Sequence, residues 1–397
     1  MRSRELSSAY GFRLLSQPRF QVAIVGTVLA IVLAFRIVLF LNYSTQSLWG
    51  YDFSAYWAAG RHVLEGEPIY APFQAAGSYP PQQHQLYLYP PFLAVAVTPL
   101  SALFDDYHVA NWLWAAAGAL IVTLVVIGVT RREGMDRRRT ALLLLATFAF
   151  APVVGELLIG NVHLIVLGLL AATWWALRDG TPRGELAAGV LIGVAALIKV
   201  FPGLLILWFL LTGRLRAAAA AIATMALLAA ATIPVVGLQV WLDYPVVLLN
   251  QGPLIDTSDL LAPAVWLSEL MPSFAARLIV LLAGLGVIVW SARRRSDPIS
   301  FAVTVAVALL VTPAVYQHYL AILVLPLLLA IRYAPPLAWV VVAYVLMSGG
   351  EQAALGNWVW IVNRVLPTLG ALLVVAGLIW FGRGASEPAL SPVRTSP

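Results

Sequence analysis

The sequence predicts an all-α polytopic membrane protein, and composition, hydropathy and charge placement each indicate this class. Hydrophobic residues make up 61% and charged residues 11% of the 397-residue chain, whereas a soluble domain is about half apolar and about a quarter charged. The mean hydropathy is +0.88. Apolar stretches of spanning length recur, and arginines cluster in the short connections between them. We therefore expect a single transmembrane domain over residues 1–381.

The first apolar stretch, Gln21 to Leu41, predicts an uncleaved first span, because it follows an arginine-bearing segment and exceeds the usual signal-peptide core in length. Apolar helices are expected near residues 20–41, 107–130, 140–157, 162–178, 184–200, 203–212, 217–236, 261–275, 277–292, 298–315, 318–331, 336–349 and 358–381. Pro263, Glu269 and Pro272 mark one of them, 261–275, as interfacial or re-entrant. Since about 20 residues cross a bilayer, and kinked pieces also occur, the prediction is about twelve spans.

Arginine placement predicts the orientation of the chain. The N-terminal arginines, the run Arg131 to Arg139, several later connections and Arg383 all fall on one side, which the positive-inside rule makes cytoplasmic. The long connections 42–106 and 237–276 hold Arg61 as their one basic residue and therefore face outward. We expect a plasma-membrane protein with both termini cytoplasmic, and a disordered tail over 382–397, which is rich in Ser and Pro.

The outward loop 42–106 is too long for a simple connection, and loops of this size are usually functional or disordered. Ser54 to Glu65 has the pattern of an amphipathic helix at the membrane surface, and Gly66 follows it. A second apolar piece, Tyr89 to Phe104, contains Pro99 and is expected to be interfacial or re-entrant. The composition favours an ordered loop.

Asp52 precedes that amphipathic helix, so its carboxylate is expected close to the outer membrane surface. One interpretation is a helix N-cap, although Ser54 is equally placed to cap. The other is a general base, since a hydroxyl that attacks a sugar on a lipid phosphate must lose its proton.

Lys199 is the sole lysine of the chain and ends an apolar stretch just before Pro202 and Gly203. An ammonium near the hydrocarbon is costly and is usually paired or functional. Binding of phosphate or pyrophosphate is favoured here over snorkelling to the membrane surface.

Two more outward breaks between spans carry polar residues. Asn161 and His163 follow Gly160, where helix capping by Asn161 is the competing interpretation, and Glu156 is expected to pair with Lys199 or Arg364. His318 lies in the second break beside Tyr316 and Gln317, either as a hydrogen-bonded structural group or in a polar, aromatic-lined site.

Absent motifs narrow the chemistry. The chain has no cysteine, no Asp-x-Asp pair, no glycine-rich phosphate loop, no G-x-S-x-G elbow and no His-Glu-x-x-His helix. Nucleotide-driven chemistry is disfavoured, and neither a metal cofactor nor a nucleic-acid partner is expected.

Several motifs together resemble glycosyltransferase family 87. They are Tyr51-Asp52-Phe53-Ser54-Ala55-Tyr56-Trp57-Ala58-Ala59-Gly60, Gly66-Glu67-Pro68-Ile69-Tyr70, Tyr87-Leu88-Tyr89-Pro90-Pro91-Phe92, Gly160-Asn161-Val162-His163, Ala195-Ala196-Leu197-Ile198-Lys199-Val200-Phe201-Pro202-Gly203 and Thr312-Pro313-Ala314-Val315-Tyr316-Gln317-His318-Tyr319. In family members a glutamine usually precedes the asparagine of the motif that is Gly160-Asn161-Val162-His163 here. In this chain Gly160 stands directly before Asn161.

The resemblance implies a GT-C-type fold and transfer of mannose or arabinofuranose from a polyprenyl-phosphate sugar to a lipid or glycan acceptor. It implies that Asp52 is the general base, that His318 lies in the active site, and that Lys199 helps to hold the donor phosphate. Candidate substrate-binding residues are Tyr89, Asn161, His163, Tyr316 and Gln317. One base and a good leaving group suit displacement with inversion. A transporter or lipid flippase is the main alternative, although no paired repeats are visible, and a non-catalytic scaffold is the third.

Overall fold

The computed structural model describes residues 18–47, 49–77, 86–250, 260–349 and 361–382, which form helices joined by turns and short loops. No β-strand occurs among these residues. In chain order the α-helices are α1 (Pro18–Tyr43), α2 (Tyr51–Glu65), α3 (Pro72–Ala75), α4 (Pro91–Leu103), α5 (Tyr107–Arg132), α6 (Arg137–Ala149), α7 (Ala151–Ile159), α8 (His163–Arg178), α9 (Pro182–Ile198), α10 (Leu204–Leu211), α11 (Leu215–Val236), α12 (Leu238–Leu249), α13 (Pro263–Leu267), α14 (Ser273–Arg294), α15 (Asp297–Leu310), α16 (Val324–Tyr333), α17 (Ala338–Ser348) and α18 (Leu366–Phe381).

Five of the described helices are long and apolar enough to cross a membrane. They lie at Gln21–Tyr43, Tyr107–Arg132, Leu215–Val236, Ser273–Arg294 and Asn363–Phe381, and α6 with α7 forms a sixth candidate that bends by 57°. The polytopic, all-α membrane class is therefore confirmed. The count of about twelve, which includes shorter apolar helices, stays a prediction.

The centre of the bundle is α15, whose residues from Pro298 to Leu310 are all buried. A helix that is apolar on every side belongs in a core rather than at a surface. Around it, α9 packs closely on α11: a Cβ placed on Gly189 would lie 2.2 Å from the carbonyl oxygen of Ala217. Small residues let two helix backbones approach in this way, which stabilises helix pairs in lipid.

The surface helix α2 is anchored on α4 by hydrogen bonds to backbone carbonyls. The indole of Trp57 donates to the Phe104 carbonyl at 3.0 Å, and the Ser101 hydroxyl donates to the Trp57 carbonyl at 2.8 Å. The helix begins at Tyr51, earlier than the expected Ser54, and Ser54 is buried inside it. This earlier start places Asp52 in the first turn of α2.

Two expected helices are interrupted. The stretch predicted near 140–157 is two helices that meet at Phe150, because Pro152 in the first turn of α7 lacks the N–H needed to continue α6. At the end of α9, Lys199 takes an extended conformation and a 3-10 turn, Phe201–Gly203, leads into α10. This break places the only lysine at a helix end.

The connection 237–276 contains more helix in its first part than the sequence predicted, and less in its second part. Helix α12 was not predicted, and α13 covers five residues of the helix expected near 261–275. Helix α14 then begins directly after Pro272 rather than near 277. The tail from 383 onward and the Gly350-Glu351 interruption lie outside the described residues.

Candidate active site

Five segments that are distant in sequence bring polar side chains to one place. These side chains, called the Asp52 cluster below, are Asp52 from the first turn of α2, Tyr89 before α4, Asn161 between α7 and α8, Lys199 at the end of α9, and His318 in the 3-10 turn after α15. Asp52, Tyr89, Lys199 and His318 are half-buried. The cluster therefore keeps some contact with its surroundings.

The amide of Asn161 fixes the carboxylate of Asp52. Its Nδ2 donates to Oδ2 of Asp52 at 2.6 Å, while its Oδ1 accepts from the backbone N–H of Val162 at 2.6 Å. Neither residue caps a helix as the competing interpretations held, since the N-caps are Gly50 and Val162 and neither makes a side-chain cap. A buried amide with both ends bonded holds its partner in one orientation.

The turn that carries Asn161 depends on Gly160, which lies in the left-handed region with φ of 74°. A Cβ here would lie 2.4 Å from Oδ1 of Asn111 and 2.7 Å from Cβ of Phe53. Both neighbours pack close to Asp52. A residue larger than glycine at position 160 would therefore be strained by the left-handed backbone and would also clash with Asn111 and Phe53.

Gly160→Ala is expected to lower any activity of the site about tenfold or more, by shifting Asn161 away from Asp52. Activity and thermal unfolding of the variant check this in parallel. Gly134→Ala is the matched control, because Gly134 has φ of 71° but no neighbour within 4 Å of a built Cβ. Equal loss of activity in both variants would show that backbone strain alone is responsible.

His318, for which the sequence left both a structural role and a site role open, lies beside Asp52. Its Nε2 is 3.7 Å from Oδ2 of Asp52, and its ring stacks on Tyr316 with centroids 5.8 Å apart and an interplanar angle of 7°. Gln317 points elsewhere: its Nε2 donates to the carbonyls of Met347, at 3.2 Å, and Gly349. The turn is thus anchored by Gln317 and presents its neighbours to Asp52.

Lys199 is held by aromatic groups. Its Nζ lies 3.5 Å from the hydroxyl of Tyr89, 5.2 Å from the centre of the Tyr89 ring and 3.8 Å from the centre of the Tyr319 ring. Aromatic faces stabilise a cation without using all of its N–H donors. The ammonium therefore keeps donors for an anionic ligand.

A hydrogen-bond chain joins this cation to the carboxylate. The Tyr89 hydroxyl accepts from Nδ2 of Asn161 at 3.2 Å, and the same Nδ2 donates to Asp52. Burial raises the pKa of Asp52 to about 6, although the Asn161 hydrogen bond and the charge of Lys199 both lower it. The carboxyl side chain retains 26% exposure. Asp52 is accordingly a reachable proton acceptor whose pKa lies close to neutrality.

Below the cluster, Glu156 and His163 form a buried pair with 2.6 Å between Oε1 and Nδ1. Of the two cations expected to pair with Glu156, Arg364 binds Glu269 instead, at 3.0 Å, whereas Lys199 interacts electrostatically with Glu156. His163 has no exposed surface, so it supports the site from behind. Tyr319 was not among the predicted site residues, although it is the last residue of the motif that contains His318.

The described residues include no group of three or more His, Asp or Glu side chains arranged to hold a metal ion. The expectation that no metal is needed stays a prediction.

In the described part of the chain, a carboxylate, an ammonium and an imidazole come together where helices break, and such groupings of titratable side chains are typical of enzyme sites. The sequence profile of glycosyltransferase family 87 matches residues 87–313, more than half of the chain. The chain belongs to glycosyltransferase family 87, which makes it a membrane glycosyltransferase. Comparison with curated proteins found no match.

The matched segment contains three members of the Asp52 cluster, namely Tyr89, Asn161 and Lys199. Asp52 and His318 lie outside it, before and after. Their assignment to the site therefore depends on the distances that join them to the matched residues.

Proposed function

We propose that this protein transfers a sugar, with mannose as the first candidate, from a polyprenyl-phosphate donor to a lipid or glycan acceptor. The observation that carries the proposal is the chain Asp52–Asn161–Tyr89–Lys199, which holds a base and a cation in one cluster. Glycosyl transfer from a lipid phosphate requires both groups at once. The GT-C-type fold is part of the same proposal.

In the proposed step, the acceptor hydroxyl attacks the anomeric carbon while Asp52 takes its proton. The new bond joins the acceptor oxygen to that carbon, the bond from the carbon to the phosphate oxygen breaks, and the lipid phosphate leaves with the electron pair. The ammonium of Lys199 stabilises the negative charge that develops on the phosphate. No proton needs to be delivered to this leaving group.

Inversion at the anomeric carbon is favoured by the different exposure of the two nearby carboxylates. The side chain of Asp52 is 26% exposed, whereas that of Glu156 is fully buried and bonded to His163. With one reachable carboxylate acting as base, the step needs no covalent sugar intermediate. A β-linked donor would then give an α-glycoside.

The proposed site lies on the extracytoplasmic side of the plasma membrane. Asp52 belongs to the connection after α1, which is almost free of basic residues, while the arginine-rich connections lie on the other side. A donor with its phosphate at the membrane surface and a membrane-borne acceptor would both reach α2.

The test uses the full-length protein in lipid nanodiscs, supplied with radiolabelled polyprenyl-phosphate mannose, polyprenyl-phosphate arabinofuranose or guanosine-diphosphate mannose. Envelope glycolipids serve as acceptors. Transfer of label is expected from a lipid-phosphate donor and not from the nucleotide donor. The anomeric configuration of the product, read by NMR, is expected to be opposite to that of the donor.

Transfer from the nucleotide donor alone would overturn the donor assignment, and retention of configuration would overturn the role of Asp52 as base. Movement of intact donor lipid across proteoliposomes without transfer to any acceptor would instead indicate a flippase.

A further inference from the structure

One buried carboxyl group, that of Glu156, contacts the neighbours of both the proposed base, Asp52, and the cation, Lys199. Glu156 has no exposed side-chain surface, and its Oε1 lies 2.6 Å from Nδ1 of His163 and 3.9 Å from Nε2 of His318. Its Oε2 accepts from the backbone N–H of His163 at 3.2 Å. From the sequence, Glu156 was expected only to pair with a cation.

The first half is the base. Nε2 of His318 is buried, has no hydrogen-bond partner within the described ranges of the chain, and lies between two carboxyl oxygens, 3.7 Å from Asp52 and 3.9 Å from Glu156. The lone pairs of both carboxyl oxygens face this nitrogen, so the favoured tautomer carries its hydrogen on Nε2. Asn161 and His318 both approach Oδ2 of Asp52, which leaves Oδ1 for the acceptor hydroxyl.

The second half is the cation. The ring of His163 lies 3.9 Å, between centroids, from the ring of Tyr319, and the ammonium of Lys199 lies over Tyr319 at 3.8 Å. Glu156 therefore fixes the imidazole on which the cation's aromatic support packs. A change at Glu156 reaches Asp52 through His318, and it reaches Lys199 through His163 and then Tyr319.

We propose that Glu156 is a positioning residue for sugar transfer: it holds the Nε2–H of His318 at Asp52 and holds His163 beneath Tyr319. This inference deepens the proposed function and depends on it. Glu156 touches no substrate in this scheme, since it is fully buried. Its carboxyl group, which lies against both imidazoles, keeps His318 turned towards Asp52, so that Oδ1 remains the reacting oxygen.

The kinetic test is Glu156→Gln, which keeps the size and one acceptor for His163 but replaces the other carboxyl oxygen with an NH2 group, so that the side chain can no longer accept from both nitrogens of His163 while facing His318. We expect kcat for transfer to fall about 10- to 100-fold, which is the usual cost of losing a residue that orients the groups in direct contact with the substrate. KM for the donor is expected to change by less than about threefold. Glu156→Ala removes the support of His163 as well, so KM is expected to rise in that variant.

Glu133→Gln is the matched control, because Glu133 is also a buried glutamate, 5% exposed, and binds Trp174 and Tyr333. It is expected to lower the unfolding temperature and to leave kcat unchanged. A kcat for Glu156→Gln equal to that of the unaltered protein would overturn the inference, as would an equal loss of kcat in both glutamine variants.

A second readout needs no turnover. The chain has five histidines, so 15N NMR of histidine-labelled protein in micelles can be assigned by single substitutions. We expect hydrogen on Nδ1 of His163 and on Nε2 of His318, and a change at His318 in Glu156→Gln but not in Glu133→Gln. Hydrogen on Nδ1 of His318, or no change in Glu156→Gln, would refute the positioning role. A lack of transfer by the unaltered protein would count against the proposed function instead.

Discussion

Asp52→Asn is expected to lower kcat for sugar transfer by about 100- to 10,000-fold, the range that general-base catalysis supplies. Asparagine has the size of aspartate and can still accept the 2.6 Å hydrogen bond from Asn161 with its Oδ1. What it lacks is an oxygen able to take a proton. Donor binding, measured as quenching of a fluorescent lipid phosphate, is expected to change little.

The pH profile gives a second measure of the same role. Since the pKa of Asp52 is raised to about 6 and the base must be ionised, kcat/KM is expected to fall as pH drops below about 6 and to level off above it. Glu65→Gln is the matched control in the same helix, because Glu65 is exposed and pairs with Arg61. Asp52→Asn should lose the acidic limb and Glu65→Gln should keep it. A full rate in Asp52→Asn would remove Asp52 as base.

The membrane class and most helices could be predicted because they depend on local properties. Hydropathy over about 20 residues and arginine counts need no tertiary contacts. The errors lie where a proline or a polar residue decides the boundary. Pro152 divides one expected helix, and α12 was missed because its interior Pro245 and its Asp243 reduced the apparent continuity of the segment.

The site could be predicted as a set of candidates but not as an arrangement. Asp52, Lys199 and His318 stood out because polar residues are rare in this sequence and lie at helix breaks. The hydrogen-bond and ion-pair partners of these residues could not be predicted from the sequence. Asn161 bonds to Asp52 from 109 residues away, and Glu156 pairs with His163 rather than Arg364. These contacts depend on how α2, α7 and the turn after α15 pack. Sequence spacing contains no information about such contacts.

Lys199→Met is the second substitution with a large expected effect. Methionine fills similar volume between the rings of Tyr89 and Tyr319 but carries no charge and no donor. A charge-assisted hydrogen bond contributes about 1.5–3 kcal/mol, so kcat/KM for a lipid-phosphate donor is expected to fall roughly 10- to 100-fold. Because the charge on the phosphate increases as it leaves, part of the loss should appear in kcat.

Two further variants separate the binding of phosphate from general support of the fold. Lys199→Arg keeps the charge but spreads it over a planar group too large for the same position, so it should restore donor binding in part and kcat less. Arg214→Met removes a cation that lies 4.7 Å from the centre of the Trp208 ring and pairs with Asp297, far from Asp52 in the predicted topology. It should lower stability without changing KM for the donor. If Lys199→Met also left KM and kcat unchanged while lowering the unfolding temperature, the ammonium would be a structural cation, and the phosphate would need another partner.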